Sequence, residues 1–161
     1  MKWTYCEQWN RLTEAPMRPL TPEQARARHE SGELYTAVPA SEGDSAPELR
    51  VELRLETGYA SVVFMDEYAR DELNYQFTLI DGSLFLKTAR LYRYGASQER
   101  GGYADVESME TYRMTTDGVI QRTVEGGGVG ATESRYGIDV SKNWEPVPEF
   151  GEYASLIRRD R

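Results

Sequence analysis

The segment that most constrains the fold is LRVELRLE, residues 49–56, in which apolar and charged side chains alternate without a break. Leucine or valine occupies every odd position, and arginine or glutamate occupies every even one. Because successive side chains of a β-strand point to opposite faces, the pattern predicts a strand with one buried face and one charged, solvated face. Such strands are typical of antiparallel sheets that face water on one side.

Strand-like segments and turn signals repeat along the rest of the chain. Asp81-Gly82 and Asp117-Gly118 each predict a hairpin, because a two-residue type I′ turn needs residues that tolerate positive φ. Within the strand predicted over 83–94, the apolar residues change faces midway, as a β-bulge or a strand that extends past the core would require. The predicted strands cover 49–56, 59–65, 73–80, 83–94, 103–115, 119–124 and 131–140.

The N-terminal segment, 1–48, contains the signals of one short helix. Thr21 is a good N-cap, Pro22 suits the first helical position, and Gln24 completes a capping box with Thr21. Gly32 is a plausible C-terminal stop, which predicts a helix over about 22–31. The polar, small-residue stretch 41–47 is the best candidate for local disorder.

The C-terminal segment, 141–161, is predicted to be an extended tail. Pro146 and Pro148 are spaced in a way that excludes a central strand, and Trp144 and Phe150 are apolar residues that would anchor the tail on the sheet. Because consecutive strands tend to be neighbours, the whole chain predicts one mainly β (α+β) domain over 1–161. We expect an antiparallel meander of about 7–8 strands that forms a strongly curved sheet or open barrel.

Charge and cysteine content narrow the classes of function. The net charge of −8 disfavours nucleic acid and anionic membrane as partners, because both would repel the average surface. Cys6 is the only cysteine, so no internal disulfide is possible, and a reducing compartment fits best. With no segment typical of a signal peptide or membrane span, we expect a soluble cytoplasmic protein.

Cofactor and metal sites are not expected. His29 is the only histidine and lies on the short helix, where we expect it to be exposed. One histidine and one cysteine are too few for the common zinc and iron sites. The glycine-rich run 126–130 lacks the lysine of a phosphate-binding loop and precedes Glu133, so a flexible hairpin loop is the better interpretation.

The densest acidic cluster is the candidate binding site. It comprises Asp66, Glu67, Asp71 and Glu72, with Tyr68 among them. A solvated turn is the simplest interpretation. Among functions, acidic loops with tyrosine favour recognition of a basic protein, because charge steers the encounter and aromatic rings anchor it.

Three hypotheses follow, and the first is favoured. It is a non-enzymatic immunity or inhibitor-type module that neutralises a basic partner such as a toxin. The alternative is a β-barrel-like protein that binds a small ligand, in which Tyr92 and Tyr94 would line a pocket or an interface. Less favoured is an enzyme that uses Asp66, Asp71 or Glu72 as acid and base. A homodimer through the predicted edge strand 131–140 is a further hypothesis.

Overall fold

The computed structural model describes residues 1–41, 43, 45–96, 98, 105–128 and 130–161. Within these residues, eleven strands form one antiparallel sheet, and one α-helix, α1, covers Pro22–Ser31. The strands are β1 (Trp3–Asn10), β2 (Ala15–Leu20), β3 (Tyr35–Pro39), β4 (Leu49–Arg54), β5 (Tyr59–Met65), β6 (Asp71–Ile80), β7 (Ser83–Tyr94), β8 (Val106–Met114), β9 (Ile120–Gly126), β10 (Ala131–Arg135) and β11 (Trp144–Pro146).

The sheet is a meander over most of its width. Its strand order is β10-β9-β8-β7-β6-β5-β4-β3-β1-β2, and β11 pairs with the start of β7. Because β2 and β10 are its two edges, the sheet is not closed. The prediction of a mainly β, open antiparallel meander with a short N-terminal helix is therefore confirmed.

Local signals in the sequence place several elements correctly. Asp81 and Gly82 have φ of 49° and 81°, as a type I′ hairpin requires. The β6–β7 register shifts so that Lys87 is the extra residue of a bulge, and this keeps Leu84, Leu86 and Ala89 on the core face although the apolar pattern of the sequence changes phase there. Helix α1 has the capping box of Thr21 with Gln24, and it ends at Gly32 in the left-handed conformation.

The sequence indicated a helix in the N-terminal segment and did not indicate the strands that the structure adds there. These strands are β1, β2 and β3. Pro16 and Pro19 hide the strand signal of β2 in the sequence. They are tolerated in the structure because β2 is an edge strand. The strand predicted over 131–140 ends at Arg135, and the tail adds β11 to the sheet.

Some predicted features lie partly outside the described residues. These are positions 42 and 44 of the polar stretch 41–47, the first residues of the strand predicted over 103–115, and position 129 of the glycine-rich run.

One face of the sheet carries the hydrophobic core. Helix α1 contributes Ala25 to it, and the C-terminal tail contributes Tyr153 and Leu156. The strand residues that are buried in this core include Tyr35, Ala37, Val51, Leu53, Ala60, Val62, Phe77 and Leu84.

The opposite face is also buried in the centre of the sheet, which corrects the prediction of a solvated face on β4. Arg50 is 0% exposed, while Arg54 at the end of β4 is exposed as predicted. The cause is the tip of the β1–β2 hairpin, which folds over this face and brings Arg11 into contact with Asp71. The hairpin thus covers a charged residue, Arg50, that the alternation alone would place in water.

Candidate functional site

A buried ion pair between β4 and β6 supports the candidate site. The Arg50 Nη1 and Nη2 atoms donate to the Asp71 Oδ1 and Oδ2 atoms at 3.0 and 3.3 Å, and Arg11 forms a second ion pair with Asp71. The Arg50 Nε atom donates to Glu52 at 3.2 Å. Burial disfavours the charge on Arg50, but Asp71 and Glu52 together outweigh that effect and raise the pKa of the guanidinium. The pair fixes the start of β6.

Next to this pair, Arg70 is enclosed by two tyrosine rings. Its guanidinium carbon lies 4.2 Å from the ring centroid of Tyr94 and 4.8 Å from that of Tyr68. The Tyr94 hydroxyl donates to the backbone carbonyl of Asp71 at 2.7 Å. Burial, with Asp71 and Asp66 nearby, raises the pKa of Tyr94, so this hydroxyl stays protonated as the donor. Cation–π contacts of this kind hold an arginine and its aromatic neighbours together.

The loop between β5 and β6 is rigid because the Asp66 side chain accepts hydrogen bonds from the backbone N–H groups of the loop. The Asp66 carboxylate accepts the backbone N–H groups of Tyr68 and Arg70 at 2.9 and 3.0 Å. It also accepts from the Arg70 Nε atom at 2.8 Å. Ala69 has a φ of 57°, a conformation that non-glycine residues adopt rarely and that this network maintains. Glu67 is left exposed at the tip of the loop.

The structure brings together most of the residues that the sequence suggested. Asp66, Glu67 and Tyr68 share this loop, and Tyr94 contacts the same arginine as Tyr68. Tyr92 is close enough to Tyr94 to raise the pKa of its hydroxyl.

Two of the predicted contact residues are placed elsewhere. Asp71 is only 1% exposed and serves as the buried anion of Arg50, so it supports the loop and does not offer its carboxylate to a partner. Glu72 points to the C-terminal tail, where it forms an ion pair with Arg159 at 3.1 Å. Because Asp66, Asp71 and Glu72 each pair with a different arginine, they do not form a shared acid–base centre.

Further acids lie at the same end of the sheet. The backbone carbonyl of Glu48 accepts the N–H of Met65 at 2.8 Å, which places Glu48 beside the loop. Glu107 in β8 and Glu125 in β9 lie near the same ends of neighbouring strands and are exposed. We call Glu48, Glu67, Glu107 and Glu125, with Tyr68, Tyr92 and Tyr94, the acidic end. The sequence did not single out Glu48, Glu107 or Glu125, because only strand pairing brings these separate hairpin ends together.

His29 is not the exposed residue that its helix suggested. Its Nδ1 atom lies 2.9 Å from the hydroxyl of Tyr35, which is in turn 3.0 Å from the hydroxyl of Tyr153. The ring also packs edge-on against Phe150 of the tail, as the predicted anchoring role of Phe150 would require. Partial burial lowers the pKa of His29, so the histidine is a neutral part of the packing under α1.

A cleft of about 530 Å³ lies between the sheet and the C-terminal tail. Its lining combines apolar residues such as Leu86 and Ala89 with Tyr75 and Tyr112, and the tail adds charged residues, including Arg159. We call it the tail cleft. Its size and lining are in the range of small-molecule sites.

Other classes of site are absent from the part of the chain that the structure describes. No group of three or more His, Cys, Asp or Glu is arranged there to hold a metal ion. No helix in those described ranges has the length and apolar character to cross a membrane. The chain matches no model of a protein family, no curated protein and no solved structure. Function is therefore inferred from the chemistry of the site.

Proposed function

We propose that this protein is a non-enzymatic binding module of the inhibitor or immunity type, which neutralises a basic protein in the cytoplasm through its acidic end. The observation that carries the proposal is the rigid loop 66–70, which presents Glu67 beside the ring of Tyr68. A loop held by Asp66 and Arg70 loses little conformational freedom on binding, and this lowers the entropic cost of association.

The excess of acidic residues also supports the acidic end as the binding surface. The chain has 27 acidic and 19 basic residues, so its field attracts a cationic protein from a distance. At the acidic end, exposed carboxylates surround half-buried tyrosines, which is the combination of charged rim and aromatic anchor found at protein interfaces. The encounter is therefore expected to be fast at low salt and slower as salt rises.

The proposal is tested by affinity purification from the native cells, with the wild-type chain and the double variant Glu67→Lys/Tyr68→Ala as baits. We expect the wild type to retain one basic protein in stoichiometric amount at low salt and to release it at high salt. The double variant should retain none, because it reverses the exposed charge and removes the anchor.

The control is Glu149→Lys, which makes the same charge change at an exposed position outside the acidic end. It should retain the partner as the wild type does. If both variants retain the partner equally, the acidic end is not the binding surface. If no basic partner is recovered with any bait at low salt, the proposed function is wrong.

The tail cleft favours a second function, the binding of a small apolar or aromatic molecule. Tyr75 and Tyr112 point toward this cleft, whereas Tyr68 and Tyr94 lie beside acids at the protein surface. Native mass spectrometry of the protein from its own cells should then show a bound mass. Ala89→Trp should abolish it by filling the cleft, and the exposed control Ala131→Trp in β10 should not. Only the apo mass in every sample would exclude this second function.

A further inference from the structure

A second cavity, separate from the tail cleft, lies beside the β1–β2 hairpin. It has a volume of about 610 Å³ and is formed by the β1–β2 hairpin and the residues that follow β3. Trp9 supplies an aromatic wall, and Pro16, Val38 and Pro47 supply apolar ones. We call it the hairpin cavity. Its lining is suited to an aliphatic chain, because burial of apolar surface on both partners is favourable.

Glu14 is the only charged residue among those that line the hairpin cavity in the described part of the chain. It is 8% exposed and has a φ of 47°, a conformation that costs free energy for a residue other than glycine. Burial raises the pKa of its carboxyl, against the opposing effects of Trp9 and Arg50. A strained, buried carboxylate that faces a cavity is a feature of functional sites more often than of inert cores.

One oxygen of Glu14 is held and the other is open to the cavity. The Trp9 Nε1–H group donates to Oε2 at 2.9 Å, which fixes the carboxylate against the indole ring. The Oε1 atom accepts no hydrogen bond from the described residues. Since no described side-chain oxygen is both fully buried and without a partner, Oε1 is reached by solvent. It is thus positioned to accept a hydrogen bond from a ligand.

We propose that the hairpin cavity binds an alkyl cation, a primary ammonium or guanidinium group on an aliphatic chain. The Glu14 carboxylate would accept the cationic group, Trp9 would face it with its ring, and Pro16 and Val38 would contact the chain. No lysine or arginine lines the described part of the cavity, and the nearby Arg50 and Arg11, which act to lower the pKa of Glu14, lie outside that lining.

The position of the cavity connects this proposal to the acidic end. Ser45 and Pro47 line both the hairpin cavity and a groove that includes Glu48, Glu67 and Tyr68. A basic protein docked at the acidic end can therefore insert a lysine or arginine side chain into the cavity. This role as a side-chain pocket rests on the proposed function, whereas the alkyl-cation chemistry also admits a free amine.

The experiment follows the indole N–H resonance of Trp9 by two-dimensional NMR on the ¹⁵N-labelled full chain, assigned with Trp9→Phe. The probes are Nα-acetyl-lysine methylamide, the corresponding arginine derivative, n-butylammonium, and the lysine derivative acetylated on its side chain. We expect a saturable shift with the cationic probes and none with the acetylated one, since acetylation removes the charge.

The matched variants are Glu14→Gln and Glu149→Gln. Glu14→Gln should weaken the binding of the cationic probes about tenfold or more, and Glu149→Gln should leave it unchanged. Tighter binding of the amino-acid derivatives than of n-butylammonium identifies a protein side chain as the natural ligand, and the reverse order identifies a free amine.

Absence of a saturable shift with every cationic probe on the wild-type chain overturns the proposal, even if Glu14→Gln fails to fold. Equal binding of the acetylated and charged lysine derivatives overturns it too. Because these probes are small and do not require the acidic end, this failure is distinct from the loss of a partner in the affinity purification.

Discussion

In β4 the neighbouring residues Arg50 and Val51 point to opposite faces and are both 0% exposed, whereas all five residues of β10 are exposed. The two strands belong to the same sheet. The centre, β3–β7, is covered by α1 and the tail on one face and by the tip of the β1–β2 hairpin on part of the other. The wing, β9–β10, contains no buried residue.

The comparison teaches that alternation of polar and apolar residues does not reveal which faces meet water. β4 alternates strictly, whereas β9 does so only in part, with Arg122 between Ile120 and Val124. On the polar face of β4, Arg50 is buried because another part of the chain covers it. Buried arginine then requires a carboxylate, which Asp71 supplies from β6.

The largest expected effect is the loss of the buried pair in the centre. Asp71→Ala should lower the free energy of unfolding by about 3–5 kcal/mol, because Arg50 would remain as a buried charge with its main partner removed. Chemical denaturation followed by tryptophan fluorescence measures this change. The double variant Arg50→Met/Asp71→Leu should cost less than Asp71→Ala, and an equal or greater cost would contradict this account.

A smaller loss is expected under α1. Tyr35→Phe removes the hydroxyl that connects His29 and Tyr153, and should cost about 1–3 kcal/mol since polar groups lose their buried partner. The matched variant Tyr136→Phe removes a hydroxyl from an exposed ring and should leave the stability unchanged. Equal effects of the two changes in the same denaturation experiment would show that the buried hydroxyl is not stabilising.

Acidification should lower the free energy of unfolding, because His29 is held neutral in the folded chain. Its pKa is lower in the folded than in the unfolded chain, so between the two values the unfolded state binds more protons. Stability is therefore complete above the unfolded pKa of about 6.5 and decreases as the pH falls below it. The melting temperature should decrease from pH 7 to 5.5 in the wild type and change less in His29→Gln. Parallel pH profiles would refute the assignment.

The smallest effects are expected in the wing. Ser134→Ala lies in the exposed edge strand and should change the free energy of unfolding by less than about 0.5 kcal/mol. Hydrogen exchange should separate the two regions directly, with β10 amides exchanging faster than those of β5. Equal protection of β5 and β10 would indicate that the wing is covered in solution, as the predicted edge-strand homodimer would require.

Several features could be predicted from the sequence because their causes are local. The Asp81-Gly82 turn, the capping box at Thr21 and the bulge in β7 depend on residues that are close along the chain. In the candidate site, the grouping of Asp66, Glu67 and Tyr68 followed from the same proximity.

Other features could not be predicted, because they depend on distant contacts. The burial of Asp71 depends on Arg50 and Arg11, and the packing of His29 depends on Phe150 of the tail. Glu14 resembled any other acid in the sequence, and only the folded hairpin places it in a cavity with Trp9.

The sequence by itself determined an acidic, mainly β chain with alternating strands, hairpin turns and one capped helix. Backbone conformational preferences and the periodicity of apolar side chains depend on only a few neighbouring residues, so they can be predicted from the sequence. The tertiary structure alone decided which charged residues are buried, which acids share one end of the sheet, and where the cavities lie. These depend on strand pairing and on the segments that cover the sheet, and both arise from contacts between residues far apart in the chain.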